Sequence, residues 1–557
     1  VVARDRERLS RNAPIVLLAV AMAAAAAVLL GYGSDLIFFQ DSWELLMNRR
    51  DPTAGALLDP HNEHIVLIPV LVEQLSLRVF GMDSMTPELA VLVALLLATA
   101  ACLFVYVRRR LGPWPALLVA TLLLFLGPAW QDLLWPFQIS LVGSTLCGLA
   151  ALLALEGKDR RWDPAGCVLL VLALGFSSLG IPFAIAAGVE ILLRRGERGL
   201  RRLYVVTVPL ALYAVWYFGW GHTAPNRLSA HNVLVSPRYA GEGLVASLDS
   251  LLALGTIFDE PVARSKWGLP LLIALLALAG YGQLRRRGFP RGLWPVLAGA
   301  AGFWLLAGFN ATAGREPYSS RYLYVGAVFL VLIAANLLER ARFSRWGLAV
   351  AGALTLVVVG FNLVPLREGR DFFEKQATLA RSDLGAIEIA ARTVEPGFNL
   401  ASPELAGTVF LNEIEAGEYL QAVREYGSPA YSPAELASAP EEGRRQADLV
   451  LANALPLGIE TGLPPSPASG RCVRLAVGEA KRGLPLQPGV TTIHFPTGGE
   501  GAIRLRRFAA AEYPLRAEEL PPGSTAKLFI PRDRSHRPWR LQVEPLSAVL
   551  CGGASSA

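Results

Sequence analysis

Apolar runs of roughly 14 to 20 residues, broken by short polar stretches, fill the first two thirds of the chain. About eleven of them have the length and composition of helices that cross a membrane. They run roughly Pro14–Gly31, Pro87–Val107, Trp114–Gly127, Gln138–Leu155, Ala165–Leu179, Ile181–Leu193, Leu203–Trp220, Gly268–Leu284, Leu293–Phe309, Tyr322–Leu338 and Gly347–Val364. The basic clusters between them fall on alternate loops: Arg4 to Arg11, Arg108 to Arg110, Lys158 to Arg161, Arg194 to Arg202, Arg285 to Arg291, and Arg340 to Arg345. Basic loops stay on the cytoplasmic side, so the pattern predicts a cytoplasmic N-terminus and an external tail beyond Pro365. Ala165–Leu193 has basic loops at both ends, and Gly180 and Pro182 at its centre predict a hairpin of two short helices. His64–Phe80 carries Glu73, Gln74 and Arg78 and reads as a helix lying in the outer interface. The first run reads as a retained anchor rather than a cleaved leader, because Gly31-Tyr32-Gly33 is a poor match to a cleavage site.

The pattern changes after Pro365. Residues 366–460 place apolar positions at helical spacing, whereas the last hundred or so hold short alternating runs: Val473–Val477, Thr491–Phe495, Ala502–Leu505, Ala526–Ile530 and Trp539–Val543. The expected fold is a polytopic α-helical membrane protein of about eleven transmembrane helices, N-terminus in and C-terminus out, with a C-terminal extracytoplasmic α+β domain. Its parts are a membrane domain over 1–365, a helical connector over 366–460 and a small β-rich domain over 461–557. The expected location is the cytoplasmic membrane.

Composition agrees, with 53% hydrophobic residues in 557 and a mean hydropathy of +0.41. The net charge of +6 comes with basic residues already accounted for by topology, which excludes nucleic acid as the expected partner. Cys102, Cys147 and Cys167 sit inside apolar runs, while Cys472 and Cys551 flank the β-rich segment, where an oxidising compartment favours a bridge between them. There is no Walker loop, CxxC motif or dinucleotide fingerprint.

Candidate chemistry gathers on the predicted outer side, where all six histidines fall. The first carries Asp41 and Glu44, three apart and so on one helical face, then His61-Asn62-Glu63-His64. Carboxylates brought together there suit general-base work or a divalent cation; a solvated loop balanced by Arg49 and Arg50 is the alternative. His61 and His64 lack a third ligand in sequence, which argues against zinc. A second cluster is Arg315-Glu316-Pro317-Tyr318-Ser319-Ser320-Arg321-Tyr322-Leu323-Tyr324. Two arginines in a short outer loop suggest either an anionic partner, with Tyr322 and Tyr324 beside it, or structural ion pairs to the acidic first loop. The loop His222–Trp267 offers Arg227, His231 and Tyr239 and is long enough for a flap.

On these residues the chain resembles the GT-C superfamily of polytopic glycosyltransferases. The likeness lies in Phe38-Phe39-Gln40-Asp41-Ser42-Trp43-Glu44 after the first helix, the return through His61–Pro69, the Ser320-Arg321-Tyr322-Leu323-Tyr324 run, and an external C-terminal domain. The resemblance, nearest to protein mannosyltransferases and lipid A aminoarabinose transferases, implies transfer of a sugar from a polyprenyl-phosphate carrier to an extracytoplasmic glycan, lipid or protein. It implies Asp41 as base, Glu63 as the second catalytic acid, and Arg315 and Arg321 on the carrier phosphate. Glu44, His61, His64, Tyr322 and Tyr324 would line the substrates. No cofactor is required, and a divalent cation is optional. Asp41-Ser42 departs from the adjacent acids of the mannosyltransferases. The rival readings are a ligase or polymerase using lipid-pyrophosphate donors, a non-catalytic envelope-assembly protein and, least supported by helices nearly bare of charge, a transporter.

Overall fold

Each of the apolar runs is helical in the computed structural model, which describes residues 2–157, 160–193, 201–225, 227–285, 288–339, 341–400, 411, 414–463, 472–474, 483–495, 502–510, 522–544 and 548–552. Lys158, Arg194 and Arg340, named above, lie outside the described residues, as do Arg195, Arg198, Arg286 and Arg287 within the same basic clusters and most of Val473–Val477. The helices are α1 Val2–Gly33, α2 Asp41–Asn48, α3 Ala54–Leu58, α4 Leu67–Phe80, α5 Thr86–Leu111, α6 Pro113–Leu124, α7 Trp130–Leu134, α8 Ile139–Leu155, α9 Asp163–Phe176, α10 Gly180–Leu193, α11 Tyr204–Gly219, α12 Ala230–Leu252, α13 Leu254–Ile257, α14 Gly268–Arg285, α15 Leu293–Phe309, α16 Ser320–Leu337, α17 Arg345–Ala390, α18 Ala416–Tyr426, α19 Pro433–Ser438 and α20 Glu441–Ala454. Among the described residues, five helices are long and apolar enough to cross a membrane alone: Asn12–Gly33, Thr86–Leu111, Pro136–Leu155, Ser320–Leu337 and Arg345–Ala390. Pro113–Leu124 and Gly127–Leu134 form a pair bent by 45°, and Gly180–Leu193, Tyr204–Gly219, Gly268–Leu284 and Leu293–Phe309 are shorter apolar helices.

The chain divides into two units. The first comprises residues 1–36, 49–76 and 85–373 and holds the helical bundle. Its centre is the wedge of Trp304 on α15, 1% exposed, against two glycines. A Cβ at Gly326 of α16 would meet the Trp304 ring at 2.6 Å, and one at Gly243 of α12 would collide with the same ring, so only glycine lets three helices close around it. Phe183 stacks on Phe329 at 5.0 Å beside this point, and Phe303 on Phe329 at 5.9 Å. The break expected within Ala165–Leu193 falls at Ser177–Leu179, between α9 and α10. The expected interfacial helix is α4, which leaves Leu71, Leu75 and Val79 exposed along one stripe while Gln74 is buried and donates to the carbonyls of Arg49 and Asp51 at 2.7 and 3.1 Å.

One segment departs from expectation. His222–Trp267 is no flap: it contains the 23-residue helix α12, packed against α15 and α16. Up to Ser247 its buried residues are Asn232, Ser236, Tyr239, Gly243, Ala246 and Ser247, small or polar and giving no apolar stripe in the sequence, and Leu248 and Leu251 are buried only in its last turns.

The second unit comprises 37–48, 77–84 and 374–557. Here α2 buries Trp43 completely, edge-on to Phe38 at 5.4 Å, and packs on α18. Two antiparallel sheets follow. The first orders β1 (Gly458–Leu463), β6 (Thr525–Ile530), β4 (Gly489–His494), β8 (Val549–Cys551) and β2 (Cys472–Arg474) as β1-β6-β4-β8-β2; the second orders β3 (Leu484–Leu486), β7 (Trp539–Glu544) and β5 (Ala502–Arg506) as β3-β7-β5. Asp448 of α20 accepts from the backbone N–H groups of Arg507, Phe508 and Ala509 at 2.9–3.1 Å, and Arg507 forks onto Asp533 at 2.6 and 3.0 Å with both side chains almost wholly buried.

Cys472 and Cys551 are direct cross-strand partners joined by a disulfide across a separation of 79 residues. Closing a loop of that length restricts the unfolded chain by about 4 kcal/mol. Reduction, or the double change Cys472→Ser with Cys551→Ser, is expected to lower the melting temperature of the sheet region, read by scanning fluorimetry of the whole protein with and without reductant.

Candidate functional site

His61-Asn62-Glu63-His64 closes into a tight turn, in which the N–H of His61 donates to the carbonyl of His64 and the reverse, both at 3.0 Å. Asn62 takes a φ of 51°, a left-handed conformation that asparagine tolerates better than most side chains. Arg49 fastens the two residues before the turn by donating to the carbonyls of Asp59 and Pro60 at 2.6 and 2.9 Å. The carbonyl of Glu63 accepts from the Ser178 hydroxyl at 3.4 Å, and Ser178 Oγ lies 3.0 Å from the Tyr213 hydroxyl. The turn is thereby anchored on the α9–α10 break and on α11.

Two arginines converge on the Glu63 carboxylate. Arg315 Nη1 pairs with Oε1, and Arg227 Nη1 stands 3.3 Å from Oε2. The Arg315 and Glu63 side chains are each 15% exposed and Arg227 is 30% exposed, so the pairing is well shielded from water. Arg227 is set by the start of α12. Ser229 caps that helix by accepting from the N–H of Asn232 at 3.1 Å, while Asn232 Nδ2 donates to the carbonyls of Arg227, Phe309 and Ala311 at 3.0–3.2 Å. Arg315 is set from behind, its carbonyl accepting from the Tyr239 hydroxyl at 2.8 Å. Arg321 Nη2 donates to the carbonyl of Gly314 at 2.6 Å and closes the loop, and its Nε has no hydrogen-bond partner among the described residues.

Burial alone would raise the Glu63 carboxyl, but His64, Arg315 and Arg227 together outweigh it and hold Glu63 below the usual carboxylate range. Burial pushes His64 down to about 4, against the opposing pull of Glu63. His64 is then neutral at pH 7, so the two arginines carry the depression of Glu63 at that pH. Two cations on one carboxylate leave a surplus positive charge and guanidinium N–H groups to spare, the equipment for gripping an oxyanion.

The structure thus gathers Glu63, His64, Arg315 and Tyr322 in the first unit, with Arg321 in the same loop. His61 is buried there with its ring 5.1 Å from Phe137. Tyr324, 1% exposed, is buried on α16 and is not part of this cluster. Asp41 and Glu44 occupy the first turn of α2, half-buried, in the second unit. Arg227 as a partner of Glu63, and Tyr239 and Asn232 as supports, were not assigned from sequence; an arginine in an outer loop, disfavoured by topology, was the signal for Arg227.

No protein-family model and no curated protein matches the chain. Among solved structures it is similar to the oligosaccharyltransferase of Archaeoglobus fulgidus, crystallised tethered through a disulfide bond to an acceptor peptide containing the NVT sequon. The two are 12% identical over 81% of this chain and 69% of that one, with a TM-score of 0.37. A superposition that loose assigns neither residues nor activity.

Acidification should loosen this turn. His64 has a folded pKa below its unfolded value of 6.5, so the unfolded chain takes up the proton first and stability is lost as pH falls from 6.5 towards 4. Between pH 7 and pH 5 the loss is about 2 kcal/mol. Glu63, also depressed, adds a loss in the same direction at lower pH. Thermal melts at pH 7 and pH 5 should show a drop for wild type that is clearly smaller for His64→Gln; equal drops in both would contradict the assignment.

Proposed function

We propose that the protein is a membrane glycosyltransferase of the GT-C kind that moves a sugar from a polyprenyl-phosphate carrier to an extracytoplasmic glycan, lipid or protein. The observation that carries this reading is the convergence of Arg315 and Arg227, from two separate loops, on Glu63 of a third. A lipid-linked donor stays in the bilayer, so its phosphate needs a cationic grip at headgroup depth beside a bundle of apolar helices. As the sugar departs, charge builds on the carrier phosphate, and the guanidinium groups stabilise it. In this reading Glu63 holds the two arginines in register until phosphate oxygens replace it, Tyr322 and Tyr239 brace Arg315, and Arg321 contributes the second grip. Asp41 is the candidate base for the acceptor hydroxyl, with Glu44, His61, His64 and Tyr324 in supporting places. No cofactor is required, and a divalent cation is an optional addition. The topology that goes with this is about eleven spans in the cytoplasmic membrane with the tail outside.

The same arginines could serve a ligase or polymerase with a pyrophosphate carrier, and an assembly protein could keep Glu63 and Arg315 as a structural pair. Transfer assays in lipid with purified protein separate these. With a polyprenyl-monophosphate sugar as donor, Arg315→Ala is expected to lower the transfer rate about 100-fold and Arg315→Lys less, while Asp41→Asn abolishes it with donor still bound. Transfer only from pyrophosphate donors would select the ligase. Absence of transfer from both, in folded protein, would select the assembly protein.

A further inference from the structure

A cavity of about 930 Å³ opens at the end of the bundle that carries the Arg108 to Arg110 cluster. Its walls come from the C-terminal ends of α5, α8 and α10, the start of α15, and Glu339 after α16. Much of its charge is already matched. Arg110 pairs with Glu156, which Arg109 also reaches at 2.9 Å, and Arg110 lies over the Tyr106 ring at 3.6 Å. Asn336 locks the arrangement, accepting from Arg110 Nε at 3.2 Å and donating to the Tyr106 hydroxyl at 2.8 Å. A Cβ at Gly292 would strike Asn336 Oδ1 at 2.6 Å, so the wall is built close and fixed.

Two lining groups stand apart from this network. Arg291 and Glu339 are both exposed, and neither side chain makes an ion pair among the described residues, with each other included. Beside Glu190, which also lines it and has its own interaction, the cavity therefore offers one cation and one anion that form no ion pair with each other. Trp294, half exposed, supplies an interfacial aromatic at the mouth on the Arg291 side. A purely anionic ligand would leave Glu339 facing like charge. A ligand with a phosphate and an ammonium a few bonds apart satisfies both.

We propose that this cavity binds a phosphoethanolamine-type headgroup, the phosphate on Arg291 and the amine on Glu339. The acyl chains of a phospholipid would pass out between the helix ends. The proposal does not depend on the glycosyltransferase reading, and its ligand can come from the bilayer or from a soluble phosphoethanolamine.

The test is native mass spectrometry of the full-length protein in detergent, titrated with phosphatidylethanolamine, phosphatidylglycerol or free phosphoethanolamine. Wild type should bind phosphatidylethanolamine more tightly than phosphatidylglycerol. Glu339→Gln should weaken phosphatidylethanolamine about tenfold and leave phosphatidylglycerol unchanged, and Arg291→Gln should weaken both. Arg342→Gln, an exposed arginine that does not line the cavity, should change neither. Displacement of the lipid by free phosphoethanolamine at equal concentration would support the headgroup chemistry and assign the site to the soluble form. Equal binding of the two lipids by wild type, unaltered in Glu339→Gln and Arg291→Gln, would overturn the proposal.

Discussion

The wedge of Trp304 between Gly243 and Gly326 is the contact on which the polar cluster depends. It fixes α12, α15 and α16 at close range, and the residues one turn away on the same faces follow from it. Tyr239 precedes Gly243 by four positions and Tyr322 precedes Gly326 by four, so each phenol stands one turn before its glycine, on neighbouring helices. Tyr239 then takes the carbonyl of Arg315, in the loop joining α15 to α16, and that loop delivers the guanidinium to Glu63. The route from packing to charge is short: a bulky ring, two missing Cβ atoms, two phenols, an ion pair. A side chain at either glycine would push a helix away from the ring and carry its tyrosine with it.

Glu63 is the least free member of the cluster. A carboxylate with two arginines on it is a weak base, because a proton must compete with both cations. Its strength is geometric: the tight turn at Asn62 and the Ser178 contact hold it where two loops meet. The charge arrangement resembles a lock whose key is another oxyanion, since any ligand that binds both arginines must bring at least the charge that Glu63 supplies.

Much of the helical layout was legible because lipid or core burial demands long apolar runs, and the break near Gly180 and the strand runs Thr491–Phe495, Ala526–Ile530 and Trp539–Val543 announced themselves by proline, glycine and alternation. Helix α12 was not, because most of its buried face is serine, glycine, alanine and asparagine, which on sequence alone look like loop. Strands β3 and β8, three residues each, are too short to show alternation. For the cluster, the residue types at Glu63, Arg315 and Tyr322 were visible and both of their readings, ion pair and phosphate grip, were open. Which arginine meets which acid was not visible: Glu63 and Arg315 are 252 positions apart, and only the helices between them bring the pair together.

The strand order of the larger sheet has a consequence for biogenesis. Strand β8, at residues 549–551, lies between β4 and β2 rather than at an edge. While the ribosome is still making residues 495–548, β2 has no neighbour in this sheet, and Cys472 has no partner thiol. Strands β1, β4 and β6 can associate as soon as Ile530 has emerged, but β2 must wait for the stretch that ends at Cys551. Completion of this sheet is therefore a late event, gated by emergence of the stretch that ends at Cys551 and sealed by the Cys472–Cys551 bond.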